Sequence, residues 1–230
     1  MGVVLRHEDH HLQVLHPQVL RRTTHDLQQG YGKEHRIDES VRLLTANKEE
    51  RLADRLRKGD SDAMREFYSL YGSQLAKVCA RYIADDDDMK DVFQDCLVRI
   101  FSHAKDFTYR GSGSLQAWAT KVAVNESLKY LQERKRHELM LLAHDVPDEP
   151  EEDDPPVQDI PPEVFYQMVC ELPTGYRTVF NLYVFEEKSH QEIADLLGIK
   201  KDSSASQLSR AKKWLAQRIR EYNNAKENPR

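Results

Sequence analysis

Apolar residues recur at intervals of three and four along most of this 230-residue chain. This spacing places them on one side of an α-helix, whereas strands would show a sustained alternation, which the chain lacks. The periodicity begins near Asn47, and glycine, proline or acidic residues interrupt it at several points. The pattern predicts eight helices, at about residues 48–58, 61–82, 85–101, 114–142, 163–171, 174–185, 189–197 and 203–223. The apolar face of the second is expected to carry Met64, Phe67, Leu70, Tyr71, Leu75, Val78 and Tyr82.

Residues 144–160 break this pattern with eight acidic residues, several prolines and no lysine or arginine. A segment of this composition cannot bury enough apolar surface to fold. We therefore predict an all-α fold of two small helical domains, at 46–142 and 162–226, joined by an acidic flexible linker at 143–161. Residues 1–45 are expected to be a disordered extension, or the result of a start codon assigned too early. Six of the ten histidines lie there, but we expect no metal site.

Charge and cysteine content change this picture little. The net charge of −5 argues at first against nucleic-acid binding, but binding depends on local potential rather than on the average. Cys79, Cys96 and Cys170 fall inside apolar helical patterns and are predicted to be buried, reduced thiols.

No stretch approaches the roughly 18 apolar residues of a membrane span, and the N-terminus lacks the apolar core of a secretory signal. We expect a cytoplasmic protein.

A capping box at Ser189 and Glu192 begins a short helix that contains the small residue Ala194 and ends at Gly198. The following segment, 200–220, contains seven basic residues and one acidic residue. Together these features predict a helix-turn-helix whose second helix enters the DNA major groove, although a helical hairpin with a solvated basic face is the simpler alternative. The residues predicted to contact DNA are Lys201, Ser203, Ser204, Ser206, Gln207, Ser209, Arg210 and Lys213.

Longer motifs extend through both predicted domains. In the second they are Leu172-Pro173, Tyr176-Arg177, Val179-Phe180, Leu182, Ser189, residues 191–194, Leu197-Gly198 and residues 206–211. In the first they are residues 88–95, followed by Phe107, Gly111, Ser114, Trp118, Ala123, Asn125 and Tyr130-Leu131. In this order they resemble regions 4 and 2 of the extracytoplasmic-function (ECF) sigma factors of the sigma-70 family, over about residues 48–225. Ala205 departs from the pattern, since many members carry Lys or Arg there, so the promoter sequence stays open.

The resemblance implies an alternative sigma factor that binds core RNA polymerase and directs promoter-specific initiation. Region 2 would bind the β′ clamp helices and open the −10 element, and region 4 would read the −35 element and contact the β flap. An anti-sigma factor is a further expected partner. The implied polymerase contacts are Asp91, Gln94, Asp95 and Arg99. The implied −10 DNA contacts are Tyr109, Arg110, Asn125, Lys129, Arg134, Lys135 and Arg136.

The resemblance implies no enzyme, no cofactor and no small-molecule substrate, because the polymerase supplies the chemistry. Phe107 and Trp118 are expected to pack in the core. The acidic linker either occupies the RNA path of the polymerase or serves as a solubilising tether, and both readings stay open. A helix-turn-helix regulator acting without polymerase is the main alternative function, but it leaves the first domain unexplained. A protein that only binds an anti-sigma factor is a third, which the basic helix argues against.

Overall fold

A computed structural model describes residues 39–134 and 160–227, with side chains at 48–134 and 160–226. These ranges belong to two separate compact units. Within the described residues both units are helical and neither contains a strand, which confirms the predicted all-α fold with two small helical domains. The predicted extension up to residue 38, most of the predicted linker, and Lys135 and Arg136 lie outside the described residues.

The first unit is built from the helices α1 (Glu39–Arg57), α2 (Ser61–Tyr82), α3 (Asp86–His103) and α4 (Ser114–Arg134), with a 3₁₀ turn at Ala104–Asp106. The turn after α1 passes through Gly59, whose φ of 74° is easily adopted only without a side chain. Asp60 and Asp85 cap α2 and α3, and each carboxylate accepts two backbone N–H groups of the first turn. Such caps satisfy donors that have no partner inside the helix.

The core of the first unit lies where α2 packs against α3 and α4. Its largest fully buried side chains include Phe67, Leu75, Tyr82, Ile100 and Leu115. Cys79 and Cys96 are buried and free, whereas Cys170 in the other unit is only half-buried. The prediction that Leu70 lies on the apolar face was wrong, because its side chain is 60% exposed.

The predicted ends of two helices also need correction. α1 begins at Glu39 rather than near residue 48, since residues 39–47 contain no glycine or proline that would stop a helix. The last helix begins at Lys201 and continues to Glu227, so it is longer than predicted at both ends.

The second unit comprises α5 (Pro162–Glu171), α6 (Thr174–Val184), α7 (His190–Leu197) and α8 (Lys201–Glu227). Almost every residue of α6 is buried, and α8 packs against both α6 and α7. Phe165, Phe180, Leu182, Ile193, Leu215 and Ile219 are its largest fully buried side chains. A long helix that packs on two shorter ones leaves the opposite side of that long helix exposed.

Candidate nucleic-acid and polymerase interfaces

The first helix of the predicted helix-turn-helix begins with the predicted capping box. The backbone N–H of Ser189 donates to Oε2 of Glu192 at 2.8 Å, and the N–H of Glu192 donates to Oγ of Ser189 at 3.3 Å. The hydrogen bond from the Ser189 backbone is the main reason that the pKa of Glu192 is lowered. The two reciprocal bonds hold the start of α7 in place.

Gly198 makes the turn between α7 and α8. Its φ of 68° and ψ of 33° lie in the left-handed region, where a glycine is favoured at a helix end. The N–H of Ile199 then donates to the carbonyl of Ala194 at 3.1 Å. α8 starts at Lys201 and packs against α7, in which Ala194 is almost completely buried. The predicted helix-turn-helix is therefore confirmed.

Residues along α8 divide into a buried side and an outward side. The buried side carries Ser204, Leu208, Ala211, Leu215 and Ile219. The outward side carries the exposed residues Lys201, Ala205, Ser206, Ser209 and Lys213. Ser203, Gln207 and Arg210 are half-buried at the boundary between them. Of the eight residues predicted to contact DNA, four are exposed and three are half-buried, and one position is buried.

That position is Ser204, and its assignment as a DNA contact was wrong. The residue is fully buried, with 0% of its surface exposed. Four residues separate it from Leu208, so the helical repeat places both on the inner side of α8. Its hydroxyl lies 3.0 Å from Nδ1 of His190, a residue that we did not predict to have a role.

His190 joins all three helices of the helix-turn-helix region. Its ring stacks on that of Tyr183 in α6, with centroids 4.8 Å apart and an interplanar angle of 23°. Burial, and then the charges of Lys201 and Lys212, lower its pKa. Ser204 lies four residues before Leu208, so its position in the sequence indicates that its hydroxyl is buried. A buried hydroxyl needs a hydrogen-bond partner, and this requirement was the signal that could have pointed to His190.

Gln207 lies against the beginning of α6. A Cβ added to Gly175 would come 3.2 Å from Oε1 of the Gln207 side chain. The amide is therefore turned toward α6 as well as toward solvent, at the edge of the outward side of α8.

The predicted polymerase-binding residues share one helix of the first unit. Asp91, Gln94 and Asp95 are exposed on α3, at spacings that place them on one face. Val98 continues this face and is 65% exposed. Arg99 differs from the other three because its Nε lies 2.9 Å from Oε1 of Glu126 on α4.

The loop before α4, which contains Tyr109 and Arg110, is held by a residue far away in sequence. Glu49 of α1 accepts the N–H of Gly113 at 2.6 Å and the N–H of Leu115 at 2.8 Å. A carboxylate at this end of α4 also complements the helix dipole. Burial, followed by Glu49 and Glu50, raises the pKa of Tyr109.

Of the two aromatic residues predicted to pack in the core, Phe107 is buried and Trp118 is half-buried. The rings of Phe107 and Trp118 lie 5.0 Å apart, and Phe107 is 8% exposed. Tyr71 lies close enough to Glu49 and Tyr109 to be affected by their charges, and its pKa is raised to about 12, mainly by burial. The loop is therefore flanked by the packed aromatic side chains of Phe107, Trp118 and Tyr71.

Asn125 and Lys129 are exposed one turn apart on α4 and therefore share a face. Lys129 lies 3.8 Å from Glu133, and Arg134 pairs with Asp88 of α3 and with the hydroxyl of Tyr130. Of the predicted −10 residues that the structure describes, Tyr109 and Arg110 lie in the loop before α4 and the other three lie along α4 itself, with Arg134 held by an intramolecular ion pair.

Two further observations concern the described residues as a whole. None of the helices in the described ranges is long and apolar enough to cross a membrane. Within the same ranges, no three His, Cys, Asp or Glu side chains are grouped so that they could hold a metal ion.

Comparison with known proteins assigns both units to one family. The family described as Sigma-70 region 2 matches residues 67–137, and the one described as Sigma-70, region 4 matches residues 163–215. The chain is 24% identical to the ECF RNA polymerase sigma-E factor of Haemophilus influenzae, over 73% of this chain and 93% of the relative. It is 25% identical to the RNA polymerase sigma-H factor of Pseudomonas aeruginosa, over 74% and 93%.

A third relative is the ECF RNA polymerase sigma factor SigW of Bacillus subtilis, which is 22% identical over 72% of this chain and 94% of the relative. A solved structure entitled "Structure of CnrH in complex with the cytosolic domain of CnrY" is 21% identical, covers 73% of this chain and 94% of that chain, and has a TM-score of 0.39.

A two-unit helical chain with both sigma regions in this order defines an RNA polymerase initiation factor. The chain belongs to the sigma-70 family, in its ECF group. It is an alternative sigma factor that acts with RNA polymerase to direct transcription initiation. A regulator that acts without polymerase would not explain why residues 67–137 match region 2.

Proposed function

We propose that the two units act on different parts of one promoter. The second unit reads the −35 element, and the first binds core polymerase and opens the −10 element. The observation that carries the −35 assignment is the outward side of α8, where Lys201, Ser206, Ser209 and Lys213 are all exposed. Hydroxyl groups can bond base edges, and lysines neutralise phosphates and release counterions. A helix with this side fits the major groove.

The remaining −35 residues take edge positions. Ser203, Gln207 and Arg210 flank the exposed side of α8 and are half-buried, so we assign them to the border of the DNA contact. Ala205 lies in the middle of the exposed side and contributes only a methyl group, which can contact a thymine methyl but cannot donate a hydrogen bond.

For polymerase binding we propose the α3 face formed by Asp91, Gln94 and Asp95. Three polar side chains beside the exposed Val98 offer a mixed surface of the kind found at protein interfaces. Arg99 lies at the border of this face. Its ion pair with Glu126 links this face of α3 to α4, and 52% of its side chain remains exposed for a partner.

For the −10 element we propose the loop and the outer face of α4. Opening DNA requires a base to leave the stack, which costs a few kcal/mol. Tyr109 can stack on an unpaired base, Arg110 can bind phosphate, and the amide of Asn125 can bond a base edge. Lys129 and Arg134 are suited to the adjacent phosphates, and we propose the same role for Lys135 and Arg136.

The remaining partners follow from this assignment. We propose that the first unit binds the β′ clamp helices, that the second also contacts the β flap, and that the protein works in the cytoplasm, where the polymerase is. An anti-sigma factor is proposed as its regulator. We assign the chain no catalytic step and no small-molecule substrate, because the polymerase supplies the chemistry.

Site-specific photocrosslinking in a promoter complex tests this division. A photoreactive residue at position 206 should crosslink to DNA around −35, and one at position 94 should crosslink to the β′ subunit. Each position is a control for the other, because position 94 should not label −35 DNA. Crosslinks from position 94 to −35 DNA, or from position 206 to the clamp helices, would contradict the proposal.

A further inference from the structure

The recognition helix carries a polar group on its buried side. Ser204 of α8 is fully buried, on the same side of the helix as the apolar residue Leu208. A hydroxyl in such a place is unfavourable unless it forms a hydrogen bond. The partner is Nδ1 of His190, 3.0 Å away on α7, so this bond links the two helices of the helix-turn-helix at their point of contact.

The orientation of His190 is set from a third helix. Its ring is stacked on Tyr183 of α6, and it is the first residue of α7, directly after the capping serine Ser189. The stack limits rotation of the ring, and the cap limits movement of its backbone. The imidazole therefore lies at a defined position, from which Nδ1 can hold α8 through Ser204.

We infer that His190 is a positioning residue, which seats α8 on α7 through Ser204 and so fixes the orientation in which the exposed side of α8 meets DNA. The inference rests on the proposed −35 function and adds to it a residue that does not contact the bases. Ser204 thus has a role in DNA binding, but from the inner side of the helix.

The charges around His190 also predict that DNA binding changes the protonation of its ring. The charges that act on the ring from α8 are those of Lys201 and Lys212, and Tyr183 of α6 contributes its stacked ring. On α7 itself, the carboxylate of Glu192 is bound to Ser189 and Lys188. The net field is therefore positive and adds to burial in lowering the pKa of His190.

DNA phosphates near Lys201 and Lys212 would offset that field. The pKa of His190 is then higher in the complex than in the free protein, so binding takes up a proton. Affinity should rise as the pH falls through the interval between these two pKa values. Protonation leaves the pair intact, because a protonated Nδ1 donates to the hydroxyl oxygen.

The test uses the full-length protein bound to core polymerase and a duplex selected from a random library for binding to this holoenzyme. Affinity is measured between pH 5.5 and 8.5, about 1.5 units on either side of neutrality, which covers histidine titration. The variants are His190→Phe, which keeps a ring for the stack, His190→Asn, whose amide can replace Nδ1 but does not titrate, Ser204→Ala, and the His190→Phe/Ser204→Ala double variant. His103→Gln, in the other unit, is the control.

We expect His190→Phe and Ser204→Ala each to lower affinity at pH 8 by about fivefold to tenfold, as for one lost hydrogen bond. The double variant should lose no more than either single variant, because both remove the same bond. His190→Asn should retain most of the affinity but lose the pH dependence, and His103→Gln should keep both.

Unchanged affinity and pH dependence in His190→Phe would overturn this inference while leaving the −35 assignment intact, as would losses that add in the double variant. If the wild-type holoenzyme selected no common −35 sequence, the proposed function would fail and this inference with it. His190→Asn keeps the test decisive if the phenylalanine variant unfolds, since a sustained pH dependence in the asparagine variant would also overturn the inference.

Discussion

The carboxylate of Glu49 accepts a hydrogen bond from the backbone N–H of Leu115, a residue 66 positions later in the chain. The distance between Oε1 and the nitrogen is 2.8 Å. Its other oxygen accepts the N–H of Gly113. The first helix thus supplies the cap of α4. It also fixes the end of the loop that carries Tyr109 and Arg110, the residues proposed to bind the −10 element.

Glu49→Ala should destabilise the protein by about 1–3 kcal/mol, because the buried N–H of Leu115 and the partly buried N–H of Gly113 lose their acceptor. Glu49→Gln should cost less, since an amide keeps one acceptor oxygen. Urea denaturation measures both changes, and Glu50→Gln, at the exposed neighbour, is the matched control. Equal midpoints for Glu49→Ala and Glu50→Gln would show that this cap contributes nothing.

The same variants should affect promoter opening. Because the amide can accept from only one of the two N–H groups, the loop is held less firmly, and the Glu49→Gln holoenzyme should open the −10 region more slowly while binding core polymerase normally. The fluorescence of 2-aminopurine placed in the −10 element reports opening. Opening at the wild-type rate would mean that the loop needs no support from α1.

Asn125→Ala should reduce open-complex formation without changing core binding. The amide is proposed to bond an unpaired base, and loss of such a contact costs about 1–3 kcal/mol, which corresponds to roughly a fivefold to 150-fold effect. Permanganate footprinting of the −10 region measures the open complex. Asn224→Ala, which alters an exposed asparagine in the other unit, should open promoters normally, and an equally active Asn125→Ala would remove Asn125 from the proposed site.

Lys213→Gln should weaken binding to −35 duplex and make it less sensitive to salt. Removal of one phosphate contact lowers the slope of log affinity against log salt by about 0.9. Lys226→Gln is the control, because Lys226 is exposed on the same helix but 13 residues away, roughly 20 Å along the axis. The same slope in all three proteins would place Lys213 outside the DNA contact.

Asp60 should make the stability of the first unit depend on pH in the acid range. The hydrogen bond from Arg55, and then the backbone N–H of Asp62, lower the pKa of Asp60 below its ordinary value. The carboxylate therefore stabilises the fold above that value, and the stabilisation is lost as the pH falls through the lowered pKa. Asp60→Asn retains a capping side chain but not the charge.

Denaturation of both proteins from neutral to strongly acid pH checks this prediction. The wild-type protein should be the more stable one at neutral pH, and its advantage over Asp60→Asn should shrink as the pH falls below about 4. An advantage that stays constant over this range would mean that the ion pair with Arg55 does not contribute.

Local patterns in the sequence predicted most of the fold. The capping box at Ser189 and the glycine at 198 define the helix-turn-helix because both act within one or two turns of the chain. The helical spacing of Leu208, Ala211, Leu215 and Ile219 likewise indicates the buried side of α8 from the sequence alone. Ser204 belongs to that register too, so its position indicates burial even though a serine hydroxyl can also contact DNA.

The contacts that sequence reasoning missed join residues far apart in the chain. Nothing near Glu49 indicates that it caps a helix more than sixty residues away. The pair of Arg99 with Glu126 likewise depends on how α3 and α4 pack. Such contacts depend on tertiary packing, to which periodicity and capping signals are insensitive, and here they support the proposed −10 loop and the polymerase-binding face.

Run-off transcription with purified core polymerase tests the central claim most directly. The template is a library of genomic fragments, and the products are mapped with core alone and with core plus this protein. The account predicts that transcripts start at a limited set of promoters, which share −35 and −10 sequences, only when the protein is present. A protein that binds core polymerase but supports initiation at no promoter in the library would contradict it.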